Sequence, residues 1–225
     1  MRPHAVHAVI AVKNLDLAKS RLAEHLRPEH RARLVLAMLA DTVTAAAAVP
    51  RVGSVTVVTP DPTVAGLARS LGAVVHPEPS TATDLNSALA AAATTLRESH
   101  GPVELLALQA DLPALCPAEL ADMLAVAPAG KRSVVVDHAG TGTAALFVGD
   151  GTLALDPRFG PDSARAHRAA GAVDLDGDWP GLRLDVDTAA DLDAAVALGA
   201  GPATRALLRE ISWSTGVHEA VRRVC

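Results

Sequence analysis

Leu105-Leu106-Ala107-Leu108-Gln109-Ala110-Asp111-Leu112-Pro113 is an apolar run that stops abruptly at a carboxylate followed by a proline. A short apolar run bounded in this way reads as a strand of a parallel sheet, buried on both faces. Open α/β sheets gather their chemistry at the C-terminal ends of such strands. The stretch therefore points to an α/β fold and makes Asp111 the first candidate functional residue.

Working upstream, His7–Val12, Val52–Thr59 and Ala73–His76 are further short strands rich in β-branched residues. Between and after them, helices are expected over Glu29–Ala48, from Asp61 or Pro62 to Leu71, and over Ser87–Glu98, with Pro77–Thr83 as a loop. Strands alternating with helices of about ten residues or more imply a mostly parallel sheet with right-handed crossovers, flanked by helices.

Downstream, Pro117–Val126 reads as a helix with proline in its first turn. Ser133–Asp137 is a strand, and Thr141-Gly142-Thr143 is a turn leading into another that ends at Val148. Leu155–Gly160 is a loop, and Ser163–Ala170 a short helix that Asp162 or Ser163 could cap. Val173–Leu175 and Leu182–Val186 read as short strands, followed by a helix over Ala189–Leu198. After the breaker Gly199-Ala200-Gly201-Pro202, Ala203–Cys225 is a mildly amphipathic tail. With no internal repeat and no linker-like stretch, residues 1–225 are expected to form a single domain, 201–225 being its tail.

Composition narrows the function. Two Phe, two Trp and no Tyr leave few rings for stacking bases, and a formal charge of −5 offers no general attraction to a polyphosphate backbone, so nucleic acid is not the expected partner. Any anion site must be local. Two cysteines, Cys116 and Cys225, make neither a disulfide framework nor a metal cluster, and Cys116 reads as a small buried or helix-start residue. No stretch has the roughly 18–20 uncharged apolar residues of a membrane span, and the apolar run after the N-terminus is short and meets Lys13, unlike a signal peptide. The expected location is the cytoplasm.

Carboxylates stand at two strand ends: Asp111, and the pair Asp185 and Asp187, which at i and i+2 of an extended segment can face one site. One or two such oxygen ligands, completed by substrate phosphates and water, suit magnesium. Asp187 reads equally as the cap of the helix at Thr188, and Asp111 as a turn residue. Lys13, Lys19 and Arg21 follow the first strand at the same sheet edge, where cations can neutralise a triphosphate, although neither GxxxxGK[ST] nor GxGxxG is present. The competing reading is a solvated basic loop. Thr141-Gly142-Thr143, together with Phe159-Gly160-Pro161-Asp162-Ser163, offers small residues and a helix start suited to an anion, or else two ordinary turns. His167 reads as a surface residue of that helix. Asp84-Leu85-Asn86 suits purine or ribose contacts, or a plain helix cap.

Taken together, Val12-Lys13-Asn14 with Ala18-Lys19-Ser20-Arg21-Leu22, Asp84-Leu85-Asn86-Ser87-Ala88-Leu89, Ala110-Asp111-Leu112-Pro113 and Leu184-Asp185-Val186-Asp187-Thr188 with Asp191-Leu192 resemble the guanylyltransferases of deazaflavin coenzyme F(420) biosynthesis. These comprise the 2-phospho-L-lactate guanylyltransferases and their phosphoenolpyruvate-using actinobacterial counterparts. The resemblance implies a three-layer, Rossmann-like nucleotidyltransferase fold, GTP as donor, magnesium as cofactor and a phosphorylated three-carbon acid as acceptor. It assigns Asp111, Asp185 and Asp187 to the metal. Lys13, Lys19 and Arg21 fall to the triphosphate, with Lys19 also catalytic, and Asp84 and Asn86 join them in the GTP site. Thr143, Gly160 and Ser163 would receive the acid. Where the wider superfamily has a glycine-rich first loop, this chain has Asn14-Leu15-Asp16-Leu17.

The residues do not separate phosphoenolpyruvate from 2-phospho-L-lactate, which share both anionic groups; the resemblance favours phosphoenolpyruvate. Oligomeric state is left open. The competing functions are another small-molecule nucleotidyltransferase, of molybdopterin-type guanylyl or cytidylyl transfer, and a nucleotide-binding module without turnover. Three strand-end aspartates weigh against a mere binder, which has little reason to gather negative charge beside a triphosphate without a metal.

Overall fold

A computed structural model describes residues 5–13, 15, 19–77 and 84–214 of the chain. Asn14 and Asp16–Ala18 of the basic loop, most of the Pro77–Thr83 loop and Cys225 lie outside the described residues. Among the described residues seven strands form one sheet: β1 (Val6–Ala11), β2 (Val52–Thr59), β3 (Val74–Pro77), β4 (Glu104–Leu108), β5 (Arg132–Val136), β6 (Thr143–Val148) and β7 (Val173–Asp174). The helices are α1 (Pro28–Ala47), α2 (Pro62–Ser70), α3 (Leu85–His100), α4 (Pro117–Val126), α5 (Ser163–Ala169), α6 (Pro180–Arg183), α7 (Ala189–Leu198) and α8 (Pro202–Glu210), with a 3-10 turn at Ser20–Leu22.

The strand order is β3-β2-β1-β4-β6-β5-β7. All neighbours run parallel except β6, which is antiparallel to both β4 and β5. The sheet is thus mostly parallel, as the alternating pattern predicts. The turn before β6 is too short for a crossover, so β5 and β6 pair as a hairpin. Asp137 builds that turn by accepting the amide N–H groups of Thr141 and Gly142 at 3.0 and 2.9 Å. A Cβ at Gly142 would collide with the same carboxylate.

Strand β4 stops at Leu108, so the last part of the apolar run leaves the sheet. Leu106 and Leu108 enter the core with α1, α4, α7 and α8, whereas Leu105 and Ala107 enter a second core with α3, Leu155 and Phe159. Burial on both faces makes the molecule three layers, helix-sheet-helix. The exit of β4 is held by Thr42 of α1, whose buried hydroxyl donates to Met38 and lies 3.3 Å from the Ala110 carbonyl, while accepting the Leu112 amide at 3.2 Å.

Two expectations need correction. Leu182–Val186 is not a strand: the chain makes the helical turn α6 and then an irregular segment outside the sheet. Leu182, Leu184 and Val186 are all buried, which produces a strand-like alternation. The Glu119 carboxylate instead caps α6, accepting the Gly181 and Leu182 amides at 3.2 and 2.7 Å. The start of the presumed tail is also a regular helix, α8, packed on α1.

Candidate active site

In the strand order, β1 lies next to β4; the connection out of β1 leads to β2 on one side, and the connection out of β4 leads to β5 on the other. The crevice beyond the C-terminal ends of β1 and β4 is therefore a topological switch point, where open sheets bind ligands. Lys13 leaves β1 there and Asp111 follows β4. Because β6 runs antiparallel, its first residue, Thr143, reaches the same edge, as do Asp137 and His138 after β5.

The segment carrying Asp185 and Asp187 is fastened beside Asp111 by one backbone bond, Val186 N–H to the Asp111 carbonyl at 3.1 Å. Lys19, in a left-handed backbone conformation at φ 57°, reaches across to both carboxylates. Its ammonium donates to Asp111 and, at 2.8 Å, to Asp187. Arg21 adds a longer contact to Asp187 at 3.4 Å. Burial alone would lower the Lys19 pKa, but the two carboxylates outweigh it and raise it above the ordinary lysine range. Burial likewise opposes ionisation of Asp187, yet Lys19, Arg21 and His138 together hold its carboxyl below the usual range. The solvated-loop reading therefore fails for Lys19, and the cap reading fails for Asp187: Thr188 caps α7.

Asp185 has the opposite environment. Burial, then the charges of Asp111, Asp137 and Asp187, push its carboxyl up to about 6. His138 lies between Asp185 and Asp191, at 3.3 and 3.2 Å. Sequence reasoning did not single out Asp137 or His138 and quoted Asp191 only within the motif, without a role, although Asp137 carries the same strand-end signal as Asp111.

Among the described residues no three His, Cys, Asp or Glu side chains converge as a ready-made metal cage. Magnesium does not need one, because phosphates and water fill most of its six positions. Two observations fit a cation here: Asp111 Oδ1 is buried without a hydrogen-bond partner, and Asp185 is crowded by three other carboxylates.

Asp84 caps α3 in a reciprocal box with Ser87. Its carboxyl is held low by the Ser87 amide and hydroxyl, with a smaller contribution from the charge of Lys13, which brings those two candidates together. Asn86 faces elsewhere. Its amide spans the Phe159 backbone, donating to the carbonyl at 2.9 Å and accepting the N–H at 2.7 Å. Of the three acid-site candidates only Gly160, at φ 132°, is exposed; Thr143 and Ser163 are buried. Helix α5 is only seven residues long, and Asp162 precedes it without making a side-chain cap. His167, expected at the surface, is 1% exposed and bonded to Thr143. Cys116 is exposed at the start of α4.

The family model described as "Guanylyl transferase CofC like" matches residues 6–224. The chain is 72% identical over 227 residues to a phosphoenolpyruvate guanylyltransferase of Nocardia farcinica, covering 100% of both. It is 55% identical over 218 residues to one from Rhodococcus erythropolis, covering 92% of this chain and 96% of the relative. Among solved structures, a 4-diphosphocytidyl-2C-methyl-D-erythritol synthase superposes with a TM-score of 0.59 at 14% identity, covering 87% of this chain and 99% of that one, which shows the nucleotidyltransferase-like fold. The matched span takes in every strand and helix described above, and the chain belongs to the CofC-like guanylyl transferase family.

Proposed function

We propose that this enzyme transfers GMP from GTP to the phosphate of phosphoenolpyruvate, releasing diphosphate, as a step of coenzyme F(420) biosynthesis in the cytoplasm. The observation that carries the reading is the clustering of Lys13, Lys19, Asp111, Asp185 and Asp187 at the switch-point crevice. The choice of acid follows the names of the full-length relatives.

The acceptor's phosphate oxygen attacks the α-phosphorus of GTP, and the bond to the diphosphate breaks. A phosphate is already anionic at neutral pH, so the chain need supply no nucleophile or general base. What it supplies is position and charge. Lys19 and Arg21, now paired with carboxylates, are free to turn to the triphosphate once another cation neutralises those carboxylates, and Lys13 follows β1 within reach of the charge of Asp84. Asp111, with Asp185 and Asp187, would hold magnesium, which when bound neutralises phosphate charge and steadies the leaving diphosphate. The Gly160 loop, with Thr143 and Ser163 beneath it, would take the acid.

The test is mass spectrometry of the product formed from GTP, magnesium and each acid in turn. Enolpyruvyl-diphospho-guanosine from phosphoenolpyruvate is expected. A guanylylated product from 2-phospho-L-lactate alone would reassign the acceptor, and no product from either would reject the reading.

A further inference from the structure

Two side chains outside the charged cluster grip the loop that leads to Gly160. His167, on α5, has both ring nitrogens engaged in a fully buried setting. Nε2 accepts the Arg158 amide N–H at 2.9 Å, and Nδ1 lies 3.0 Å from the Thr143 hydroxyl oxygen. A neutral imidazole has one donor and one acceptor nitrogen. Since an amide N–H can only donate, Nε2 must be the bare nitrogen, and Nδ1–H donates to Thr143. From the other side, Asn86 of α3 holds both backbone groups of Phe159. The Phe159 ring lies edge-on to His167, 5.4 Å between centroids. Two successive loop residues are thereby tied to α5, β6 and α3, and the next residue is Gly160.

We infer that His167, with Asn86, is a positioning residue of the acceptor site: it sets the loop Arg158–Gly160 against Thr143 and so controls affinity for the acid without touching the nucleotide. The inference rests on the proposed function, which gives Gly160, Thr143 and Ser163 to the acid. It gives Asn86 a different role from the GTP contact expected from the sequence.

The geometry separates the two bonds of the imidazole. A glutamine at 167 extends its amide to about the position of Nε2 and can still accept the Arg158 N–H; an asparagine reaches only the position of Nδ1 and can bond Thr143 alone. His167→Asn is expected to raise KM for phosphoenolpyruvate about tenfold, the loss of one buried hydrogen bond to the loop, with kcat and KM for GTP within about twofold of wild type. His167→Gln should stay within about threefold of wild type in all three constants. Asn86→Ala should follow the His167→Asn pattern.

Equal effects of Gln and Asn at 167, unchanged constants for both, or a rise in KM for GTP would overturn the inference while wild-type turnover leaves the proposed function standing. A wild-type enzyme that makes no product from either acid would instead bring down the proposed function, and the inference with it. Independently of turnover, nitrogen-15 spectra of the ring should show the neutral tautomer protonated at Nδ1; a proton on Nε2 would contradict the assignment.

Discussion

Asp111 and Asp185 stand beside each other in the crevice with opposite needs. Asp111 is paired on one oxygen by Lys19 and left without a partner on the other. Replacing it by asparagine keeps the shape and removes the charge that a cation would meet. Guanylyl transfer by Asp111→Asn is expected to fall by about a hundredfold or more, the scale of losing one preorganised electrostatic contact. Its circular dichroism spectrum should match wild type, because Lys19 retains Asp187. Near-wild-type turnover would remove Asp111 from the metal site.

Asp185 gives a prediction with a definite sign. An unfolded aspartate titrates near 3.9, whereas folded Asp185 titrates at about 6. Between those values the folded state keeps a proton that the unfolded chain has lost, so this residue lowers stability as pH rises, and the loss is complete above the folded value. Asp187, held below the usual range, works in the other direction: its contribution is present above the unfolded value and lost as pH falls through the folded one. Subtracting Asp185→Asn from wild type isolates the first effect. Without added metal, the variant should gain on wild type by up to about 3 kcal/mol between pH 4 and 7, read from urea midpoints. Parallel curves would show that Asp185 is not the raised carboxyl.

Helices α6 and α8 share a device that a linear reading does not reveal: each start is satisfied by a carboxylate from a distant helix. Asp41 of α1, 6% exposed, accepts the Ala203 and Thr204 amides at 3.0 and 2.8 Å and so caps α8 from outside. A Cβ at Gly201 would run into this carboxylate, which explains a glycine there. Asp41→Ala leaves both amides without a partner at a buried helix start. It should cost about 1.5–3 kcal/mol in urea unfolding and speed hydrogen exchange of the first α8 amides more than those of β1. A cost below about 0.5 kcal/mol would mean that water replaces the cap. Glu119 does the same for α6, where a buried alternation suggested a strand. By contrast α2, α3 and α7 carry their own caps, Asp61, Asp84 and Thr188, and these helices lie within two or three residues of where the sequence puts them.

For the molecule as a whole, the negative net charge and the cations gathered at one sheet edge mean that ligand binding should couple to global stability through the crevice. Magnesium and GTP together, at about 100 times the dissociation constant, should stabilise wild type by about 2.7 kcal/mol. Under the same concentrations Asp111→Asn should show much less. Equal stabilisation of both proteins would place the nucleotide away from β4. The central strands, their sheet edge and Asp111 were legible because each follows from a few adjacent residues: Leu105–Leu108 are apolar at every position, hence buried on both faces, and a carboxylate follows. Contacts between remote segments have no such local signature. Lys19 meets Asp111 and Asp187 across 92 and 168 residues, Asn86 reaches Phe159 across 73, and His138 meets Asp185 across 47. Local patterning thus decided the layers and the edge that carries the chemistry, whereas the fold alone decided which charge faces which and that His167 lies inside. Pairing partners, tautomers and buried carboxyls depend on distances in space and on exclusion of water, and only the packed chain creates these.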